Sequence, residues 1–299
     1  MDVSIVIVNY NVKEYIISCI ESIYKHSNSN ITFEIVVVDN NSIDDSLSAL
    51  KKFVPKVNII KNDYNAGYSI AANQGVKSCK GKYVFLLNPD TLLIEDSLSK
   101  LANIAKKQDN IGVIGPKLIY ENGLPQQSYW RSPSFLNTVS SLVYLDFFNF
   151  KKNYKYIQID KINKVDTVSG CALFIKKEVF ERLDGFDENL FWMEDIDFCI
   201  RLRQAGYFTY FFNETEIIHF KGKSSKSNYK TAISNQLISK VKFFKKHHSR
   251  SKALAILFLI MFTSFIKSIT FAFLSPFSAK YKSKMFAYIF TMRSLFGAR

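Results

Sequence analysis

An α/β fold is what this 299-residue sequence predicts, with a mostly parallel sheet, helices on both faces, and C-terminal amphipathic helices. Three observations point there. Short β-branched runs, apolar throughout, recur from the N-terminus, as strands covered on both faces require. Segments with apolar residues at helical spacing separate them, and that alternation is the pattern of a parallel sheet. Residues 217–299 differ in kind: they hold 16 of the 40 Lys and Arg and none of the 26 Asp and Glu.

The elements follow in order. VSIVIV (3–8) and FEIVVV (33–38) read as strands, and Val12, Ile16, Ile20 and Ile23 place a helix over 12–25 between them. Further strands are expected at 57–60, 82–87 and 111–115, with helices near 43–53, 67–79 and 95–108. Residues 116–165, with Trp130, Arg131 and an apolar stretch at 134–150, show no clear period and are taken as a variable excursion. From 166 the pattern returns: a strand at 172–175, a helix near 177–182, a Gly185-Phe186-Asp187 turn and a helix starting around Glu194. Ligands of such sheets bind outside the carboxyl ends of the strands. That rule singles out Asn9 to Asn11, Asp39 to Ser42 and Asn88 to Asp90.

With 47% apolar and 22% charged residues the chain can bury a proper core, and disorder throughout is excluded. Cys19, Cys79, Cys171 and Cys199 are scattered without a CxxC, so neither a disulfide framework nor a zinc site is expected. The start lacks a basic segment and a small-residue cleavage site, and a signal peptide is not expected. The tail predicts a basic helix over 236–248, an apolar run over 253–266 that Lys267 interrupts, and an amphipathic stretch over 285–296. Thr263, Lys267 and Thr270 make a polar stripe at i, i+4 and i+7. Interfacial helices lying in the cytoplasmic leaflet, anchored by Lys, Arg and Phe, are expected, and a single tilted span with Lys267 facing protein is the alternative. A nucleic-acid partner is disfavoured, because the basic residues interleave with a long apolar run.

Taken singly, the polar clusters have plain structural readings. Pro89-Asp90-Thr91 could be a turn and helix cap, Asp39-Asn40-Asn41-Ser42 an N-cap cluster, and Glu194, Asp195 and Asp197 a solvated helix start. His219 could be a structural histidine. Their combination is stronger, because two of the clusters end parallel strands on one edge of one sheet.

In order, VSIVIVNYN, EIVVVDNNSIDDS, NAGYSIAANQG, YVFLLNPD, the 168–207 segment and IIHFKGKSS resemble glycosyltransferase family 2, over about residues 2–226. The bacterial rhamnosyltransferase-type members are the most similar. The resemblance implies a GT-A, Rossmann-like catalytic domain over 1–226, with a nucleotide-binding half (about 1–115) and an acceptor-binding half (about 116–226). Residues 227–299 would be a membrane-associating helical region. Asp39 would accept a hydrogen bond from the pyrimidine, Val8, Asn9 and Tyr10 would line the base, and Asn65 and Gly67 would bound the ribose or diphosphate.

Many members carry Asp-x-Asp where Asn88-Pro89-Asp90 stands, so Asp90 would hold the divalent metal, Mg²⁺ or Mn²⁺, together with His219. Asp195 would be the catalytic base, with Glu194 as the second candidate. Gly170 would allow close approach of the sugar, and Trp192 would stack on acceptor or donor sugar or serve packing. The implied reaction is inverting transfer from a dTDP- or UDP-linked sugar to a lipid-linked or polysaccharide acceptor, at the cytoplasmic face of a bacterial membrane. A homo-oligomer stays open. A nucleotidyltransferase on a similar fold would show a Gly-rich basic loop after strand one, and VNYNVKEY lacks it.

Overall fold

The computed structural model describes residues 1–28, 30–107, 109–143, 161–220 and 229–297. Two compact units arise: Met1–Ser132, Ile159–Glu188 and Glu194–Ser224 form the first, and Pro133–Gln158, Asn189–Met193 and Ser225–Arg299 the second.

The first unit is built on one sheet. Its strands in chain order are β1 (Val3–Asn9), β2 (Phe33–Asp39), β3 (Val57–Lys61), β4 (Tyr83–Leu87), β5 (Thr91–Leu93), β6 (Ile111–Ile119), β7 (Pro125–Gln126), β8 (Tyr129–Trp130), β9 (Ile162–Val165), β10 (Thr167–Val168), β11 (Ala172–Lys176) and β12 (Phe208–His219). The order across the sheet is β3-β2-β1-β4-β11-β6-β12-β5, with β7 on β6 and β9 on β12. β8 and β10 pair separately. The expected parallel set is present: β2 lies between β1 and β3, and β4 joins β1 from Val3↔Tyr83. β11 then inserts antiparallel between β4 and β6, and β12 returns parallel to β6.

Alternation along the strands creates two cores. Val3, Ile5 and Ile7 face one side with helix α1 (Lys13–His26), whose Ile16, Cys19, Ile20 and Ile23 are buried. Val6, Val36, Val84 and Leu86 face the other, under α3 (Tyr68–Lys77). Helices thus cover both faces, as the apolar runs require. The remaining helices of this unit are α2 (Ser46–Leu50), α4 (Ser97–Ala105), α6 (Lys177–Arg182) and α7 (Glu194–Gln204). α2 starts later than the expected 43–53, because the Asp44 carboxylate accepts from Ser46 N (3.1 Å) and Lys13 N (2.9 Å) and holds residues 43–45 as a loop; the helix continues as a 3-10 turn over Lys51–Phe53.

Gly75 packs α3 onto the sheet, where a Cβ would stand 2.4 Å from Val6 Cγ1. The excursion at 116–165 contains the end of β6, then β7, β8, helix α5 (Phe135–Leu142) and β9; residues 144–160 lie outside the described residues.

The second unit contains α5 and three long helices: α8 (Tyr229–His247), α9 (Arg250–Leu274) and α10 (Ala279–Gly297). α9 runs unbroken through Lys267, so the apolar run at 253–266 continues past that residue in one helix of 25 residues. It packs along α10 and α8, and α10 packs along α8. Ser234 Oγ donates to the Ala287 carbonyl at 3.2 Å, tying α8 to α10. Phe271 and Tyr288 stack at 5.9 Å, with Lys267 Nζ 5.5 Å from the Tyr288 ring and Lys284 Nζ 5.2 Å from Phe271.

Candidate active site at the carboxyl edge of the sheet

β1, β2, β4 and β12 all run in one direction, so Asn9, Asp39, Asn88 and His219 end on the same edge. β11 runs the opposite way and therefore begins there, bringing Gly170 and Cys171 to it.

At the β1–β2 corner, Asn9 Nδ2 donates to Asp39 Oδ1 at 2.8 Å and to Ser42 Oγ at 3.0 Å. The Ser42 amide donates to Asp39 Oδ2 at 3.0 Å. Asp39 is fully buried and caps no helix, which sets aside its reading as an N-cap. The carboxylate keeps lone-pair sites beyond these two bonds. Asn9 Oδ1 is buried without a hydrogen-bond partner among the described residues. Val8 is partly buried beside it, and Tyr10 is exposed.

The neighbouring loop is shaped by Asn40, which the sequence reading missed although it stands in the quoted motif. Its Nδ2 donates to Asn65 Oδ1 (2.9 Å), and its Oδ1 accepts from Ala66 N (3.1 Å) and Asn62 Nδ2 (3.1 Å). Asn65 Oδ1 also accepts from Gly67 N (3.1 Å). Gly67 has φ 88° and starts α3, a left-handed turn that favours glycine.

Asp90 and His219 meet because of strand pairing. β5 begins immediately after Asp90 and pairs antiparallel with β12, Thr91 opposite His219. The Phe220 amide also donates to the Asp90 carbonyl at 2.9 Å. His219 Nε2 lies 3.5 Å from Asp90 Oδ1, and both side chains are largely buried. The other ring nitrogen, Nδ1, is 2.6 Å from Gln126 Oε1, an acceptor, so Nδ1 is the donor. That tautomer aims the Nε2 lone pair at a carboxylate, two electron-rich groups that need a cation or a proton between them. Burial resists protonation of His219, but Cys171 and Asp90 outweigh it and push the pKa up to about 10.

A divalent metal answers the same demand, and these residues fit one. Among the described residues no cluster of three or more acidic, His or Cys side chains could hold a metal, so further ligands would be phosphate or water oxygens. Asn88 sits beside Asp90 and holds the turn through its backbone, N–H to Cys171 O (2.8 Å) and C=O from Thr91 Oγ1 (2.7 Å). The following helix is capped by Asp96, whose Oδ1 accepts from Ser99 N, so Asp90 is not that cap.

Asp195 is fixed from both sides. Its Oδ2 accepts from Gly170 N (2.9 Å), and its Oδ1 from Ile196 N (2.8 Å). A Cβ on Gly170 would stand 2.9 Å from Asp195 Oδ2, so the group that comes close to this glycine is the carboxylate. Burial pushes the pKa of Asp195 upward, while those amides restrain it. Burial and then the Asp195 charge push Glu194 upward as well. Glu194 Oε2 has no hydrogen-bond partner among the described residues, so this is no solvated helix start.

Tyr68, also missed, reaches the Gly170 carbonyl at 3.5 Å; burial, then Glu194 and Asp195, push its pKa up. Asp197 differs from its neighbours. It is fully buried and paired with Arg201 Nε at 2.8 Å, whose NH2 group donates to Gly185 O at 2.7 Å. Asp197 is therefore structural: it fixes Arg201, which holds the Gly-Phe-Asp turn.

The first unit thus brings together the Asn9–Asp39 corner, the Asn65–Gly67 loop, Asp90 with His219, and Asp195 with Gly170. Trp192 belongs to the second unit, with an exposed side chain and a backbone amide that donates to Ser239 Oγ at 3.2 Å. Residues 221–225 of the IIHFKGKSS motif lie outside the described residues.

Comparison with known proteins places the chain in a family. The chain is 25% identical over 207 residues to an N-acetylglucosaminyl-diphospho-decaprenol L-rhamnosyltransferase of Mycobacterium tuberculosis (strain CDC 1551 / Oshkosh), covering 64% of this chain and 67% of that protein. It is 27% identical over 192 residues to the minor teichoic acid biosynthesis protein GgaB of Bacillus subtilis (strain 168), 63% of this chain but only 19% of GgaB.

Among solved structures, the mannosyltransferase PcManGT from Pyrobaculum calidifontis, in complex with GDP-Man and Mn²⁺, superposes with TM-score 0.57 at 16% identity, covering 98% of this chain and 86% of that one. S. aureus TarS does so with TM-score 0.55 at 18% identity, covering 86% of this chain and 42% of that one. At these identities the superpositions carry the GT-A fold. The glycosyl transferase family 2 model matches residues 4–184, from β1 to the end of α6. With more than half the chain matched by that model, the protein belongs to glycosyltransferase family 2.

Proposed function

We propose that the protein transfers a sugar, with inversion, from a nucleoside diphosphate sugar to a hydroxyl of a lipid-linked or polysaccharide acceptor. The observation that carries this reading is the convergence of Asp90–His219 and Asp195–Gly170 on one sheet edge. In the displacement the acceptor oxygen bonds to the anomeric carbon, the bond to the diphosphate oxygen breaks, and the hydroxyl proton passes to Asp195. Gly170 N and Ile196 N hold that carboxylate in one orientation for the attack.

At the other side of the donor, Asp39 accepts from the pyrimidine, with Asn9 fixing its rotamer and Val8 and Tyr10 flanking the base. Asn65 and Gly67, locked by Asn40, present backbone to the ribose or diphosphate. Asp90 and His219 would hold Mg²⁺ or Mn²⁺, which supplies charge neutralisation for the departing diphosphate.

The name of the mycobacterial relative supports rhamnose as the sugar and a polyprenyl diphosphate acceptor, and the donor would then be dTDP- or UDP-linked rhamnose. Residues 1–226 would be the catalytic part, and 227–299 would keep it at the cytoplasmic face of the membrane, where such an acceptor is anchored. The test is a thermal-shift panel of dTDP- and UDP-sugars with Mg²⁺ or Mn²⁺, followed by transfer to a polyprenyl diphosphate saccharide. One donor should raise Tm and be turned over, and EDTA should stop turnover. If no nucleotide sugar shifts Tm or is transferred, the reading fails.

A further inference from the structure

The second unit carries an apolar surface of unusual regularity. Leu254, Phe258, Phe262, Phe265, Ile266, Ile269 and Phe273 are all exposed on α9. At 100° per residue they fall within one 120° arc. The opposite arc holds Ala253, Ile256, Ile260, Ser264 and Ser268, which are buried. No charged residue lies within the exposed arc from 254 to 273: Lys267 is on the other side of the helix, where its ammonium sits over Tyr288 of α10. An exposed apolar strip about 29 Å long is far beyond what a free surface of a soluble unit carries.

By length and composition Arg250–Phe277 is able to cross a bilayer. Its packing argues otherwise. α9 lies along α10 and α8, so a crossing α9 would draw both into hydrocarbon. α10 carries Lys280, Lys282, Lys284 and Arg293, and α8 carries Lys240, Lys242, Lys245 and Lys246. Of these, Lys240 and Arg293 lie well away from the connections to α9, and charged side chains at that depth are strongly disfavoured. Laid flat, by contrast, the helix buries only its free arc and leaves its packed arc on the protein side. α10 displays Phe286 and Phe290 on the same face as Lys282 and Arg293, the mixture suited to the headgroup level. Residues 217–299 contain no acid to oppose an anionic surface.

We infer that α9 lies in the plane of an anionic lipid leaflet, with the Leu254–Phe273 strip sunk among the acyl chains and the cations of α8–α10 at the phosphates. This rests on the reading of the protein as acting at a membrane, yet its test reads lipid and not sugar transfer, so the two readings fail separately. The full chain is floated with vesicles of phosphatidylcholine, with and without about 30% phosphatidylglycerol. It should float with the anionic vesicles, less with neutral ones, and less still at high salt. The triple variant F258S/F262S/F265S alters only exposed positions and should lose about tenfold in partitioning with unchanged circular dichroism.

Depth is read separately in F258W, F265W and F273W, quenched by lipids brominated along the acyl chain, after subtraction of the signal from Trp130 and Trp192. All three should quench at one shallow depth. A deep F265W with shallow ends would establish a span and overturn the inference. Absence of flotation, or a solution dimer that the triple variant converts to monomer, would also overturn it, the latter assigning the strip to a second copy of the chain.

Discussion

Asp195 and Glu194 are adjacent in sequence but differ in what holds them. Two backbone amides orient Asp195, whereas Glu194 Oε2 has no such partner among the described residues. If Asp195 takes the proton, transfer requires it ionised, and burial raises its pKa from 3.8. The acid limb of kcat against pH should therefore lie above the ordinary aspartate range. Asp195→Asn should abolish transfer, about 10³-fold or more, with nucleotide-sugar thermal shifts intact. Glu194→Gln should keep both turnover and the acid limb, and the converse pattern would make Glu194 the base. Gly170→Ala tests positioning: its Cβ would press on Asp195 Oδ2, and a displacement near 1 Å costs about 10²-fold in kcat. Nucleotide binding should not change, which calorimetry with the donor checks.

At the scale of elements, the parallel strands were legible because β1, β2 and β4 are apolar on both faces and end abruptly in Asn or Asp. Strands of the second half were harder to see. β5 is three residues long and β12 is interrupted by register shifts at Phe208/Thr209 and Phe212/Glu216, so neither shows a sustained period. The candidate residues could be named from the motifs, but their contacts could not. Asp90 meets His219 through the pairing of those two illegible strands, and Tyr68 reaches Gly170 across more than a hundred residues of sequence.

Asp197 was the ambiguous member of its cluster, since spacing alone does not show that Arg201, one turn on, neutralises it. Removing that arginine strands a buried carboxylate. Arg201→Ala should cost about 3–5 kcal/mol in urea unfolding, and Arg201→Lys should recover only part, because one ammonium cannot reproduce the fork to Asp197 and Gly185.

For the whole molecule the buried acids make stability depend on pH. The folded pKa of Glu194 is raised from 4.5 to about 8, so the folded state binds a proton that the unfolded chain releases. That contribution is present below pH 4.5 and is lost as pH rises through the folded value. Glu194→Gln should therefore raise Tm relative to the parent at pH 8–9, by about 2–4 °C, and lose that advantage near pH 4. Scanning calorimetry across that range checks both ends.

The order of strands in the sheet also has a consequence for synthesis. Among the described residues β5 pairs with β12, about 125 residues later, and β4 is closed on its outer side by β11. A ribosome-bound chain that ends before Phe208 has every motif up to Asp195 but no frame in which Asp90 and His219 can meet. Chemical competence therefore arrives late in translation, just as the basic helices that would dock the enzyme begin to emerge.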